Sequence, residues 1–182
     1  LQDAERPVLS VNGNVAALAC DDMLRLADVL ACPLEVNIFY RTPERMKALL
    51  SYINERKEVL GLEVAVLGDA PNATIPGLKG PRAACHREGI LESDVILVPL
   101  EDGDRCQALV AMGKTVVVID LNPLSRSAQQ ASITIVDELS RALNTMLDLA
   151  ESEGVVPVDN AYDHAAVLDA GLAEMLSALK RA

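Results

Sequence analysis

The 182 residues carry a net charge of −11, are 51% hydrophobic and include only four aromatic side chains, Phe39, Tyr40, Tyr52 and Tyr162. That balance argues against nucleic acid as a partner, because nucleic acid needs a basic face and rings to stack on. The length fits one domain with a core large enough to be stable alone. No apolar run reaches the ~20 residues that cross a bilayer, and no charged-then-apolar leader precedes the first apolar run, so we expect a soluble cytoplasmic protein with no membrane contact.

The cysteines Cys20, Cys32, Cys85 and Cys106 form no C-x-x-C, and only two histidines are present. A protein-held metal site is therefore not expected, and reduced, buried thiols are. Cys85-His86 places a nucleophile type beside a base type, but chain neighbours point apart, which argues against catalysis there.

The chain opens on Leu1 rather than Met, and we expect part of the natural protein to precede it. Residues 7–11 form a buried-type strand, then Asn12-Gly13-Asn14 leads into a helical run at 15–30. That turn either brings backbone close to an anion at a helix start or simply lets Asn14 cap the helix. A second strand at 34–40 ends in Tyr40-Arg41-Thr42-Pro43. Thr42 as N-cap and Pro43 at the first turn start a helix over 44–57. Arg41 would sit past a strand end, a favourable place for phosphate or carboxylate. Asn37 interrupts an apolar run, and its amide reaches either a ligand or a structural partner. Residues 63–67 are a third strand, and 68–80, GDAPNATIPGLKG, is a long loop able to cover a ligand. Lys79 and Arg82 follow as solvated cations by default, then a polar segment with helical character.

The centre of the chain is 94–126. Strands at 94–99 and 115–120 flank a helix at 106–112 stopped by Gly113, which is a βαβ unit. Ligands of an open parallel sheet bind beyond the carboxyl ends of its strands, so the loops 101–105 and 121–126 lie on the functional edge. Asp120 falls past Gly103 by roughly the 20 residues that separate a ribose-binding acid from a glycine loop, which suggests adenosine. The plainer reading makes these loops a solvated turn and a helix breaker. A strand at 132–136, a helix at 137–150, a linker at 151–161 and an amphipathic helix at 162–182 complete the chain. The last helix has an apolar stripe that suits its own domain or a second subunit.

The alternation predicts a Rossmann-like, three-layer α/β fold with a mostly parallel sheet of about six strands and helices on both faces. Residues 1–150 would be the binding domain and 151–182 a linker with a C-terminal helix.

Five stretches together resemble the archaeal 4-phosphopantoate–β-alanine ligase (phosphopantothenate synthetase) family. They are PVLSVNGNVAAL at 7–18, EVNIFYRTPER at 35–45, DAPNATIPGLKGPR at 69–82, VILVPLEDGDRCQALVAMGKTVVVIDLNPLSRSA at 95–128 and TIVDELSRAL at 134–143. The resemblance implies a homodimeric enzyme of coenzyme A biosynthesis. It would join 4-phosphopantoate to β-alanine, consuming ATP with Mg²⁺ and releasing AMP and pyrophosphate through an acyl-adenylate. In that picture Asp102, Gly103, Asp104, Arg105, Asp120, Leu121 and Asn122 hold the nucleotide, the paired acids attracting its Mg²⁺. Asn12, Gly13, Asn14, Asn37, Arg41, Arg82, Ser125 and Arg126 hold the other substrates. Arg105 and Asn14 act on the reacting groups. Two departures stand out: the family carries a basic helical stretch before the first strand, and Tyr162-Asp163-His164 stands where Tyr-Asp-Asn is the family pattern. The alternatives are a non-catalytic adenine-nucleotide module, a dehydrogenase, which the single-glycine NGN loop disfavours, and a structural partner.

Overall fold

The computed structural model describes residues 1–152 and 162–181. Its six-stranded sheet is parallel throughout, in the order β3-β2-β1-β6-β7-β8. The strands are β1 (Pro7–Val11), β2 (Leu34–Val36), β3 (Val66–Leu67), β6 (Val95–Leu97), β7 (Thr115–Ile119) and β8 (Ile133–Ile135). Val8, Leu9, Ile96, Leu97, Val116 and Val118 are fully buried, as central parallel strands covered on both faces require. α1 (Gly13–Val29), α2 (Pro43–Leu60) and α5 (Leu139–Glu151) pack over one face around Met23, Leu24 and Leu143. α3 (Gly103–Ala111) and α4 (Arg126–Gln130) cover the other around Ile96, Cys106 and Leu109. The expected three-layer α/β fold is therefore present.

Element ends follow local chemistry. α1 begins earlier than the apolar spacing suggests, because Asn12, in extended backbone, accepts from the amides of Asn14 (2.9 Å) and Val15 (3.1 Å). The cap is Asn12, not Asn14. Thr42 caps α2 with Pro43 at its first position, as predicted, and Gly61 in left-handed backbone ends it. α3 also starts early, at Gly103, since the Asp102 carboxylate accepts from Arg105 N at 2.9 Å. β2 stops at Val36 rather than residue 40, and the Asn37 side chain donates to the carbonyls of Arg82 and Ala84. α4, capped by Ser125, is a helix that the sequence reading lacked.

The 68–80 loop is not structureless. β4 (Ala73–Thr74) pairs antiparallel with β5 (Ala84–Cys85), and strands of two residues carry no periodicity to read. A π-type turn at Arg87–Leu91 follows. Its amides converge on the buried Glu35 carboxylate, which accepts from His86 N at 2.9 Å and Ile90 N at 2.8 Å. A Cβ on Gly89 would overlap that carboxylate, so only glycine allows the approach. Burial pushes the Glu35 pKa up while the two amides pull it down, and burial wins.

β8 is the last strand of the sheet, and α6 (His164–Arg181) lies against it, with Gly171 close to Val136. Thr134 N donates to the Tyr162 hydroxyl at 3.0 Å. The Thr134 hydroxyl donates to Ala128 O at 2.8 Å, so it accepts from His164 Nε2 at 3.0 Å. The edge strand is thereby covered rather than left open. The linker expected at 151–161 lies, from residue 153 on, outside the described residues, while Glu151 itself closes α5.

Replacing Glu35 by Gln turns an amide NH₂ towards one of the two donors. We expect this to cost about 1–3 kcal/mol, the penalty of an unmet buried group, read as a lower urea midpoint without a change in slope.

Candidate functional site

The chain leaves β1 and β6 towards opposite sides of the sheet, so a crevice opens between their carboxyl ends. β1 runs into Asn12-Gly13-Asn14 and β6 into residues 98–102. Asn12 ties the two loops together, donating to Leu100 O at 3.0 Å and Pro99 O at 3.3 Å. Two adjoining hollows follow. One, of about 400 Å³, is lined by Asn12, Gly13, Asn14, Tyr40, Arg45 and Leu100. The other, of about 560 Å³, is lined by the loop at 76–79 together with Asp104, Gln107 and Ala108. Phe39, Arg82 and Asp102 border both.

Under this cleft lies a buried ion cluster. The Glu101 side chain is 1% exposed and lies between two guanidinium groups, those of Arg82 (2.6 Å) and Arg105, which lies one turn further along α3 and is 0% exposed. Arg105 also donates to the Ser10 hydroxyl of β1 at 3.0 Å. Arg82 reaches Asp102 at 2.8 Å and donates from Nε to the Asn37 side-chain oxygen at 3.2 Å. Glu101 O accepts from the Ser127 hydroxyl at 2.6 Å. The hairpin, α3, β1 and α4 thus meet on one carboxylate residue. Burial, then the nearby Arg105 charge, lower the Arg82 pKa, but guanidinium stays charged at any ordinary pH. Burial raises the Asp102 carboxyl, yet the Arg105 amide and the Arg82 charge outweigh it and hold the pKa below the usual carboxylate value.

The structure gathers part of the predicted set. Asn12, Gly13, Asn14, Arg82, Asp102 and Asp104 line the cleft. Arg105 does not: it is sealed beneath the floor and meets Glu101 and Ser10 instead of open space. Asn37 is fully buried, and its amide is committed to the 82–84 backbone and Arg82. Arg41 turns away to donate to Gly68 O and lines a separate hollow of about 710 Å³ beside α2. Arg105, Asn37 and Arg41, expected to face a ligand, thus do not line this cleft. Gly103 is needed for packing, since a Cβ there would overlap that of Arg126.

Asp120, Leu121 and Asn122 form a turn on the α4 side, outside both linings. Asp120 accepts from Asn122 N at 2.9 Å and from the Ser125 hydroxyl at 2.5 Å, while Leu121 is exposed. Arg126 pairs with Asp104 at 2.6 Å across the rim, so this turn lies beside the cleft even though it does not wall it.

Sequence reasoning passed over Phe39, Lys79, Arg45 and Gln107 as lining residues. Phe39 and Tyr40 are 59% and 68% exposed at the rim, in edge-to-face contact with centroids 5.1 Å apart. Two adjacent exposed rings in a chain with four aromatics were the available signal. Arg45 was hidden inside a helix pattern that alone accounted for it.

Cys85 is buried and its thiol pKa is pushed up to about 11 by burial and then Glu35, which removes it as a nucleophile. Among the described residues, no three His, Cys, Asp or Glu side chains converge to hold a metal ion. Glu101, Asp102 and Asp104, the acids on the cleft, are each already paired with an arginine, so they form no ready cage for Mg²⁺.

Sheet order and cleft place this chain among the doubly wound α/β proteins that take ligands at the carboxyl edge of the sheet. It belongs to the phosphopantothenate/pantothenate synthetase family, whose sequence profile matches residues 1–176. The 4-phosphopantoate–β-alanine ligase of Thermococcus kodakarensis is 45% identical over 184 residues, covering 98% of this chain and 69% of the relative. That of Methanosarcina mazei is 45% identical over 183 residues, covering 97% and 70%. That of Thermococcus onnurineus is 51% identical over 147 residues, covering 81% of this chain and 55% of the relative. The chain therefore spans little more than half to about two thirds of these curated relatives. A universal stress protein solved with cAMP aligns at a TM-score of 0.35 and 15% identity over 73% of this chain and 98% of that one, a likeness too slight to add to the fold seen directly. Among the described residues no helix is long and apolar enough to cross a membrane.

Replacing Arg105 by Met leaves Glu101 buried with half its compensation. We expect a loss of about 3–5 kcal/mol, against a smaller loss for Glu101→Gln with Arg105→Met together, both read from denaturant unfolding.

Proposed function

We propose that this chain carries the ATP-dependent ligase chemistry of its relatives, condensing 4-phosphopantoate with β-alanine in coenzyme A biosynthesis. The observation that carries the reading is the pair of adjoining hollows at the β1–β6 crevice, two subsites meeting at Phe39, Arg82 and Asp102. A reaction that transfers a group between two bound molecules needs that arrangement, and holding them in line supplies much of the rate.

In the first step a carboxylate oxygen of 4-phosphopantoate attacks the α-phosphorus of ATP. The bond to the bridging oxygen breaks and pyrophosphate leaves with its electron pair. In the second step the neutral amine of β-alanine attacks the acyl carbon. The bond to AMP breaks, AMP departs, and the amine proton passes to water. The Asn12–Asn14 side holds the acid, and the side-chain amide of Asn14, exposed at the start of α1, donates to oxygen charge as it develops. The nucleotide lies along the Asp102–Asp104 side, with Asp120, Leu121, Asn122, Ser125 and Arg126 flanking it. Arg82 and Arg105 act by position, fixing Glu101 and the start of α3. Mg²⁺ arrives on the ATP phosphates, which it typically prefers to all-protein sites.

We place this activity in the cytoplasm, where ATP meets reduced thiols, in keeping with four free, buried cysteines. We also infer a homodimer. Met175, Leu176 and Leu179 on α6 are exposed, with Leu179 at 75%, and a second copy of the chain would cover them. Leu176→Glu with Leu179→Glu should halve the mass seen by light scattering; an unchanged mass, or a monomeric wild type, contradicts this.

The function is tested by following AMP and pyrophosphate from ATP and Mg²⁺, omitting 4-phosphopantoate and β-alanine in turn. AMP that requires 4-phosphopantoate, with turnover that requires β-alanine, supports the ligase. ATP binding with no AMP under any combination favours the non-catalytic nucleotide module.

A further inference from the structure

The family's description covers both a phosphorylated and an unphosphorylated product, so the feature that selects the phosphorylated acid matters. A cation suits that task, because the two acids differ by a phosphate, and Lys79 lines only the larger hollow. The arginines nearest the cleft are mostly committed. Arg82 is held by Glu101, Asp102 and Asn37, Arg105 is sealed under the floor, Arg126 pairs with Asp104, and Arg41 faces another hollow.

Arg45 differs from all of these. It lies on the first turn of α2 and lines the smaller hollow with Asn12, Gly13 and Asn14. Its guanidinium carbon sits 5.9 Å from the Tyr40 ring centroid, a geometry in which the aromatic face steadies the cation. A Cβ on Gly13 would come within 3.2 Å of Arg45 Nη2, so the glycine leaves room for the guanidinium beside the loop that follows β1. Among the described residues, no carboxylate makes an ion pair with it. In a chain of net charge −11, a guanidinium that lines a cleft and is paired with none of its carboxylates is suited to an anionic ligand, and its planar fork matches a phosphate.

We propose that Arg45, held over Tyr40, is the residue that recognises the phosphate of the acid substrate and sets the preference for the phosphorylated acid. This rests on the ligase reading above. Phosphate at Arg45 leaves the carboxylate end of the same molecule to reach across Phe39 and Arg82 towards the nucleotide hollow. The other phosphate source within reach is the triphosphate of ATP, and the test separates the two.

The experiment compares wild type, Arg45→Met, Arg45→Lys and Tyr40→Leu. Turnover is measured against 4-phosphopantoate and against ATP, and binding of 4-phosphopantoate and of pantoate is measured by calorimetry. Arg45 and Tyr40 are exposed, so unchanged melting temperatures should accompany the substitutions. For Arg45→Met we expect KM for 4-phosphopantoate to rise about tenfold to a hundredfold, the scale of one charge-assisted contact. KM for ATP should stay within about twofold. Arg45→Lys should recover part of the loss, Tyr40→Leu should show a smaller one, and the binding preference over pantoate should shrink in the same order. A rise in KM for ATP instead, or an unchanged preference over pantoate in Arg45→Met, overturns the proposal. If wild type binds 4-phosphopantoate in an Arg45-dependent way but forms no AMP, the ligase reading fails and the anchor stands.

Discussion

Glu101 lies between two buried guanidinium groups, and the cleft depends on that contact. One comes from the residues preceding β5 and the other from α3. Neither arginine is tolerable at its depth without an anion, and the carboxylate is equally intolerable without them. The cluster therefore forms as a unit or not at all. Once formed, it fixes the start of α3 through Asp102, ties α3 to β1 through Ser10, and binds α4 through Ser127. The chemistry proposed for the crevice uses groups on these same loops, so their positions are inherited from this contact.

A second constraint works from the other side of the crevice. Glu35 gathers the π-type turn beneath the hairpin, and Asn37, two residues on, holds the 82–84 backbone from which Arg82 projects. Two polar residues on one short strand thus place the hairpin over the sheet edge. The Asn37 backbone N–H still donates to Val11 O of β1 at 2.9 Å, while its side chain is committed to the hairpin.

The parallel sheet and its layers were legible because strands of Val, Ile and Leu, a helix cap at Thr42 and a glycine stop at Gly113 are local signals. The cleft edge was legible because strand ends in such sheets carry ligands. Side-chain direction was not. Arg41, Arg82 and Arg105 look alike in a sequence, each polar and beside an apolar run, yet one turns to Gly68, one spans the cleft floor and one is sealed away. Which of them meets an anion is decided by Glu101 and by the hairpin at β4 and β5, both long-range facts. Arg45 was missed for the converse reason: a helical pattern accounted for it fully, and its neighbour Gly13 lies on another element.

The central claim is that the β1–β6 crevice binds both substrates over an unmoving ion cluster. A crystal structure with 4-phosphopantoate and a non-hydrolysable ATP analogue tests it most directly. The account predicts the acid beside Asn12, Asn14 and Arg45, the nucleotide along Asp102 and Asp104, and Glu101 still between Arg82 and Arg105. Either ligand seated instead in the hollow beside Arg41, or Arg105 drawn out to touch a phosphate, would contradict it.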